Sequence, residues 1–476
     1  MLSDKKNIVL LTYITVFGLI IPAIFWFSSR QEQPFLGQKT APKPSLDPES
    51  ASDKNLAIQK RISLGDKVLI TANNNSHKQA AVKAFASRDY TQAFKLLNYS
   101  LQTQKNDPEA WIYLNNSFAA KNGNLIKIGT SVPIGSNLNV AQEILRGIAQ
   151  AQYEINSNGG VGGKLVQVEI ANDDNDPIIA KQIASNFVQD RQILAVVGHN
   201  ASNASMAAAP IYQQGGLVMI SPTSVAKELS TIGEYIFRTT PSTRATTDVL
   251  ASYAVKSAYE TKIAICADSE SEASYSFKEE FILAVFDYGG AVSPTICDFS
   301  ATNFNPADIP SQAIRDGANA LLLAPSIDRI HQAVEVAKSN QGRLPLLGNQ
   351  ALYTYETLQR GQVSVNGLVL TAFWHPAIPS NSSYKINTQK LWGGVGNWRT
   401  ATAYDATKAI LEGLNLGLQR EILQKALTNS GFSAQGATGN VNFFPSGDRR
   451  GKGVLVKIKP SQSSSTGYEF ALFQPE

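Results

Sequence analysis

Three hydrophobic spacings succeed one another along this chain, and each predicts a different element. Asn7–Phe27, NIVLLTYITVFGLIIPAIFWF, is apolar without a charged residue and is about the twenty residues that cross a bilayer as a helix. In residues 74–118 alanines and aromatics recur at helical spacing. This predicts two amphipathic helices separated at Arg88-Asp89-Tyr90, with Ala93 close to Ala81 and Ala84. Beyond residue 125, short β-branched runs alternate with helical stretches. Strands are expected at Ile126–Ser131, Leu165–Ile170, Ile193–Val197 and Leu217–Ile220, and helices at Val140–Ile155 and Pro177–Val188. Ile144, Ile148, Ala151 and Ile155 make one stripe, which Asn158-Gly159-Gly160 ends. The alternation restarts with Lys262–Ala267, Phe277–Phe286, Val292–Asp298, Pro310–Asp316, Ala320–Leu323, Ile327–Lys338 and Leu344–Leu347. Such a rhythm predicts an α/β fold with parallel sheets in two similar lobes.

Between the apolar run and the helical segment, residues 28–73 are rich in Pro, Ser, Gln, Asp and Lys, with PKPSLDPES near the middle. This composition buries too little apolar surface to order itself, so 28–73 is read as a flexible linker, with local order reserved for Leu56–Ala72. Lys5 and Lys6 ahead of the apolar run place its N-terminus in the cytoplasm. No A-x-A-like site follows, and Trp26 and Phe27 suit an interface, so the run reads as an uncleaved signal anchor. No cysteine lies nearby, which excludes a lipoprotein.

Charge adds a further exclusion. A net +4 over 476 residues, not gathered into a stripe, argues against nucleic acid as a partner. The two cysteines, Cys266 and Cys297, end the first two expected strands of the second lobe. An extracytoplasmic location allows a disulfide. Parallel neighbours seldom meet disulfide geometry, which favours two buried free thiols.

Candidate chemistry gathers from Val196 to Leu229, where two buried strands each end in small hydroxyl-bearing turns. Ligands in open α/β sheets sit at such carboxyl ends, which singles out Ser202, Thr223 and Ser224. The same residue types also simply terminate strands and cap helices. Enzymatic readings find little support. The histidines at 77, 199, 331 and 375 lack metal-ligand spacing. GGVGGKL at Gly159 lacks the full phosphate-loop spacing and the Ser or Thr after Lys, and no G-x-S-x-G elbow is present. No catalytic residue, metal or cofactor is assigned.

From about Leu125 onward an ordered series of motifs stands out: IKIGTSVPIG, RGIAQAQYEINSNGGVGGKLVQVEIANDD, VVGHNASNAS, LVMISPTS and YIFRTTPS. In these the chain resembles the leucine/isoleucine/valine-type periplasmic binding proteins, with their two-lobed type I fold. The resemblance implies a ligand-binding domain over 125–476, with lobe one at about 125–242 and 371–445 and lobe two at about 243–370 and 446–476. It implies that a ligand carboxylate would be held at Ser202 and the loop Thr223-Ser224-Val225. Val225 stands where the family has a hydroxyl, Tyr275 stands two positions late for a family tyrosine, and Gln350 replaces the acid that receives a ligand's ammonium. A buried ammonium without a carboxylate is costly, so the expected ligand is an amide, urea-like compound, peptide fragment or neutral polar metabolite. Residues 74–118 resemble one tetratricopeptide unit and part of a second, since Trp111 and Leu114 fall about one 34-residue period after His77 and Ala80. That segment serves either as a structural collar or as a docking surface for a protein partner.

The combination implies a single-pass protein of a bacterial, cyanobacterial-like inner membrane. Its large periplasmic domain would bind a small polar solute for an ABC permease or for sensing. The competing expectation is a regulatory protein-interaction module with a degenerate cleft, like activators of cell-wall synthases.

Overall fold

Two twisted sheets, each covered by helices on both faces, follow from strands that are apolar on both sides. In this computed structural model, which describes residues 56–378 and 381–475, the first sheet contains β1 (Ile62–Ser63), β2 (Leu125–Val132), β3 (Leu165–Asn172), β4 (Ile193–Val197), β5 (Val218–Ser221) and β6 (Ile236–Pro241). The second contains β7 (Lys262–Ala267), β8 (Ala291–Val292), β9 (Ala320–Ala324), β10 (Leu346–Gly348) and β11 (Val369–Ala372). After a small hairpin of β12 (Ala434–Gln435) and β13 (Asn440–Val441), β14 (Asp448–Arg449) returns to the first sheet, and β15 (Val454–Pro460) and β16 (Tyr468–Phe473) complete the second. The orders are β1-β3-β2-β4-β5-β6-β14 and β16-β15-β11-β10-β9-β7-β8. Both sheets are parallel at their centres, with antiparallel pairing only for β1 on β3, β15 on β11 and β16 on β15.

The chain crosses between lobes after β6, after β11 and after β14. The last two crossings follow Ala372 and Arg449, a few residues later than the sequence boundaries of 370/371 and 445/446. Helices Ser382–Trp392, Trp398–Leu414 and Arg420–Thr428 return to lobe one. Trp398–Leu414 lies against Leu138–Ser157 so closely that a Cβ on Gly147 would come within 2.2 Å of the Thr400 carbonyl oxygen. Leu138–Ser157 buries Ile144, Ile148 and Ala151 and ends where the Gly160 N–H reaches the Ile155 carbonyl. Gly160 has φ +82°, and a Cβ there would meet the Lys164 carbonyl at 2.0 Å.

The helical segment is three helices, Ser76–Ala86, Tyr90–Thr103 and Pro108–Asn122, capped by Asn75, Asp89 and Asp107. The third is buried on most sides, because it lies between the first two and lobe one. Asn116 there accepts from the Val168 N–H and donates to the Val168 carbonyl, at 2.8 and 2.7 Å, so one side chain covers the open edge of β3. Trp111 packs on Tyr153 and Trp392.

Residues 56–73, read as the end of the linker with local order reserved for Leu56–Ala72, are ordered. Ile58, Ile62 and Ile70 are buried, β1 pairs with β3, Arg61 bonds Asp174 at 2.7 Å, and the Leu69 and Ile70 N–H groups donate to Glu109. Two expectations need correction. Val292–Asp298 is not a strand beyond Val292. Cys266 and Cys297 form a disulfide rather than two free thiols. Each cysteine stands one residue before the parallel Ala267–Asp298 bridge, so the two face one another in register with Cα atoms 4.6 Å apart, a separation that a disulfide spans. The apolar run 7–27 and residues 28–55 of the linker lie outside the described residues. Among the described residues, no helix is long and apolar enough to cross a membrane.

Candidate functional site

A cleft of ≈ 300 Å³ opens between the lobes, where the carboxyl ends of both sheets face one another. From lobe one it takes Ser202, at the start of helix Ser202–Gln214, and Thr223 and Val225 from the loop after β5. From lobe two it takes Asp268, Asp328 and Gln350, which follow β7, β9 and β10. Trp398 and Arg399 contribute from the first turn of helix Trp398–Leu414.

The lobe-one wall is cross-linked internally. Ser202 Oγ accepts the N–H groups of Val225 and Ala226 at 3.0 and 3.2 Å. Thr223 Oγ1 donates to the Asn200 carbonyl at 2.8 Å. The Val225 N–H is therefore not the free donor expected from the sequence, whereas the Ser202 hydroxyl keeps its own proton to offer. Ser224 is turned away from the cleft, its Oγ 2.7 Å from Ser205 Oγ and its N–H donating to Ser221 Oγ. Beneath this wall the His199 carbonyl accepts from the Ser221 hydroxyl at 2.8 Å. The His199 ring is fixed between Asp173 at 2.6 Å and Tyr212 at 3.1 Å, all three side chains buried. His199 thus shapes the loop that carries Asn200 and Ser202 without reaching the cleft itself.

Tyr275 is also displaced from its expected place. It stands exposed on helix Glu272–Asp287, on the side of Glu279, and Ser271 and Ala273 line the cleft instead. Gln350 does line it. The residue is 5 % exposed, and its Oε1 is buried without a hydrogen-bond partner.

Lobe two supplies the acids of the cleft. Asp268 is buried and accepts the Glu270 N–H at 3.1 Å. Asp328 has its pKa raised, first by burial and then by the neighbouring charge of Asp268, with Arg329 opposing. Arg399, buried in the cleft wall, donates to the Tyr353 carbonyl at 2.9 Å, lies 3.7 Å from Glu143, and stacks 4.3 Å over the Trp398 ring. Burial lowers its pKa and Glu143 opposes that shift. Asn203 ties the lips of the cleft together, donating to the Glu270 carbonyl at 2.9 Å and accepting the Glu272 N–H at 3.0 Å.

Residues 125–456 match the family model described as periplasmic binding protein. The chain belongs to that family. The type I fold of the family is shared by a leucine binding protein from Thermotoga maritima, which is 20% identical with a TM-score of 0.65. That similarity covers 74% of this chain and 99% of the other. A substrate-binding protein from Desulfitobacterium hafniense in complex with Leu is 23% identical, with a TM-score of 0.62 over 73% of this chain and 99% of that one. Among curated relatives, the Leu/Ile/Val-binding protein of Escherichia coli is 34% identical over 125 residues, 26% of this chain and 34% of the relative. An amino acid binding protein of Pseudomonas aeruginosa is 30% identical over 109 residues, 23% of this chain and 29% of the relative. The chain thus spans about a third of the length of the curated relatives it matches.

Within this periplasmic binding protein, Ser202, Thr223, Val225 and Gln350 meet in one cleft, while Ser224 and Tyr275 do not line it. Asp268, Asp328, Trp398 and Arg399 were missed by the sequence reading. Both aspartates follow strands, in IAICAD and LLLAPSID, so the strand-end rule that selected Ser202 would also have found them. Trp398 and Arg399 come from a helix that returns to lobe one long after β6, and no local pattern marks them. The neutral Gln350 shares the cleft with Asp268 and Asp328.

Proposed function

We propose that this protein is an extracytoplasmic solute-binding protein that encloses a small polar ligand of the amino-acid class or a related compound and presents it for ABC-type transport. The observation that carries this reading is the interlobe cleft itself, a small volume to which both lobes contribute polar side chains. The relatives named for amino acids agree with it, and the Cys266–Cys297 disulfide suits an oxidising compartment. In this reading residues 7–27 anchor the protein in a bacterial inner membrane and an ABC permease is the partner. The protein catalyses no reaction.

The test is native mass spectrometry and thermal-shift screening of the purified full chain against amino acids, amides, ureas and short peptides. A defined co-purified mass, or a stabilisation of several degrees by one class, is the expected outcome, because a ligand selective for the folded state raises its stability. A protein that carries nothing and responds to nothing would instead favour the protein-interaction reading of a degenerate cleft.

A further inference from the structure

The second crossing leaves β11 at Ala372 and is fastened to both lobes within a few residues. Phe373 packs edge-on against Trp398, and Trp374 against Tyr384, both on helices that return to lobe one. His375 turns the other way. Its ring lies beside Tyr353 of lobe two, and its Nε2 is 3.0 Å from the Phe470 carbonyl of β16. A carbonyl only accepts, so Nε2 carries the proton; Nδ1 then holds a lone pair, and the Ala377 N–H donates to it at 3.1 Å. The ring is buried with both nitrogens committed. The same turn is closed by the Ile378 N–H on the His375 carbonyl and by Lys385 Nζ on the Ile378 carbonyl, each at 2.9 Å. Lys385 stands on helix Ser382–Trp392, so a chain of bonds runs from β16 through His375 to lobe one.

We propose that His375 is a proton-operated latch on this crossing: neutral, it holds the turn that keeps the lobes together across the cleft, and protonated at Nδ1 it releases the turn and lets them open. A second N–H on the ring would face the Ala377 N–H, and that bond is lost, while Nε2 keeps its bond to Phe470. An open groove of ≈ 590 Å³ runs past His375 and brings water to it. Burial lowers the pKa of the ring, the Phe470 carbonyl and Glu469 oppose the shift, and Lys385 adds to it. Lys459 on β15, 3.5 Å from Glu469, offsets that carboxylate. Tyr353 and Tyr468 are the other titratable groups of the groove, and behind Tyr353 its carbonyl holds Arg399, which faces Glu143. The closed arrangement therefore selects the neutral ring. Closed lobes prevail above the ordinary histidine value of 6.5 and lose ground as pH falls through it. The latch concerns the lobes themselves and stands whether or not the cleft holds a solute.

Hydrogen–deuterium exchange of the full chain tests the latch, with protection factors corrected for the intrinsic rate and compared at about pH 7.5 and about pH 5, on either side of the histidine range. In the wild type, protection at Ala377 and Ile378 and at the cleft lip, 268–273, should fall together by about fivefold at the lower pH, as the loss of one hydrogen bond implies. His375→Asn puts an amide oxygen, which takes up no proton in this range, near the place of Nδ1, and should remove the pH dependence at both segments. If that variant fails to fold, His375→Gln takes its place with the same expectation, its amide nitrogen replacing Nε2–H on the Phe470 carbonyl. The same pH-dependent loss in the variant would assign the response to another group. Loss at 377–378 with 268–273 unchanged would confine it to the turn. Either result overturns the latch, as does a wild type whose protection is the same at both pH values.

Discussion

Glu260 shows how a single residue can set the pH response of this protein. It is 8 % exposed, its Oε2 lacks a partner, and burial pushes its pKa from 4.5 up to about 7 against the opposing charge of Lys457. A carboxyl whose pKa is raised on folding holds its proton more tightly in the folded state. The stability this confers is therefore complete below about pH 4.5, falls as pH rises, and is gone above about pH 7. The amount involved is on the order of 3 kcal/mol. Glu260→Gln, which keeps the shape and removes the charge, should match the wild type in urea unfolding at pH 4.5 and exceed it at pH 8. No gain at pH 8 would mean that Glu260 is not held in a desolvated place. At this scale the sequence was informative about strand-end hydroxyls and silent about orientation. Ser202 and Ser224 are both buried beside the same loop, yet one lines the cleft and the other faces Ser205, a difference set by the 221–225 turn.

Elements were legible wherever a periodic pattern created them. Lys262–Ala267 and Ile193–Val197 occupy the ranges their apolar runs predicted, because a buried parallel strand needs little beyond β-branched residues bounded by turns. The order of residues 56–73 was only partly legible, because a few isoleucines in a polar stretch order themselves against surfaces far along the chain, such as β3 and Glu109. Asn116 is invisible for the same reason: its bonds to Val168 join residues 52 positions apart. The disulfide belongs at this scale too. It ties the end of β7 to the irregular stretch after β8 and closes 31 residues of chain. Replacing both cysteines by serine should lower the stability to urea by about 2–4 kcal/mol, since the reduced chain gains unfolded-state freedom. An unchanged midpoint would place the tie in a region already unfolded before the main transition.

At the scale of the whole molecule, two sheets and three crossings place the cleft, and the lobes are held across it by few groups. Arg399 reaches from its helix to the Tyr353 carbonyl, Lys227 pairs with Glu279, and Asn203 spans the lips with two hydrogen bonds. Asn203 is the most separable of these, because it neither carries charge nor supports the core. Each of its two bonds is worth about 1 kcal/mol net, so Asn203→Ala should shift the balance between closed and open lobes by up to roughly thirtyfold. Hydrogen–deuterium exchange of the full chain reads this directly. The amide of Glu272, now donating to Asn203 Oδ1, and its neighbours in 268–273 should exchange faster in the variant. The buried strands β4 and β7 should exchange as before. Faster exchange throughout lobe two would instead identify Asn203 as a stability residue, and unchanged exchange at 268–273 would show that the lobes stay together through the other contacts across the cleft, Arg399, Lys227 and Ser276 among them. Either departure would move the control of closure from the lips of the cleft to its base.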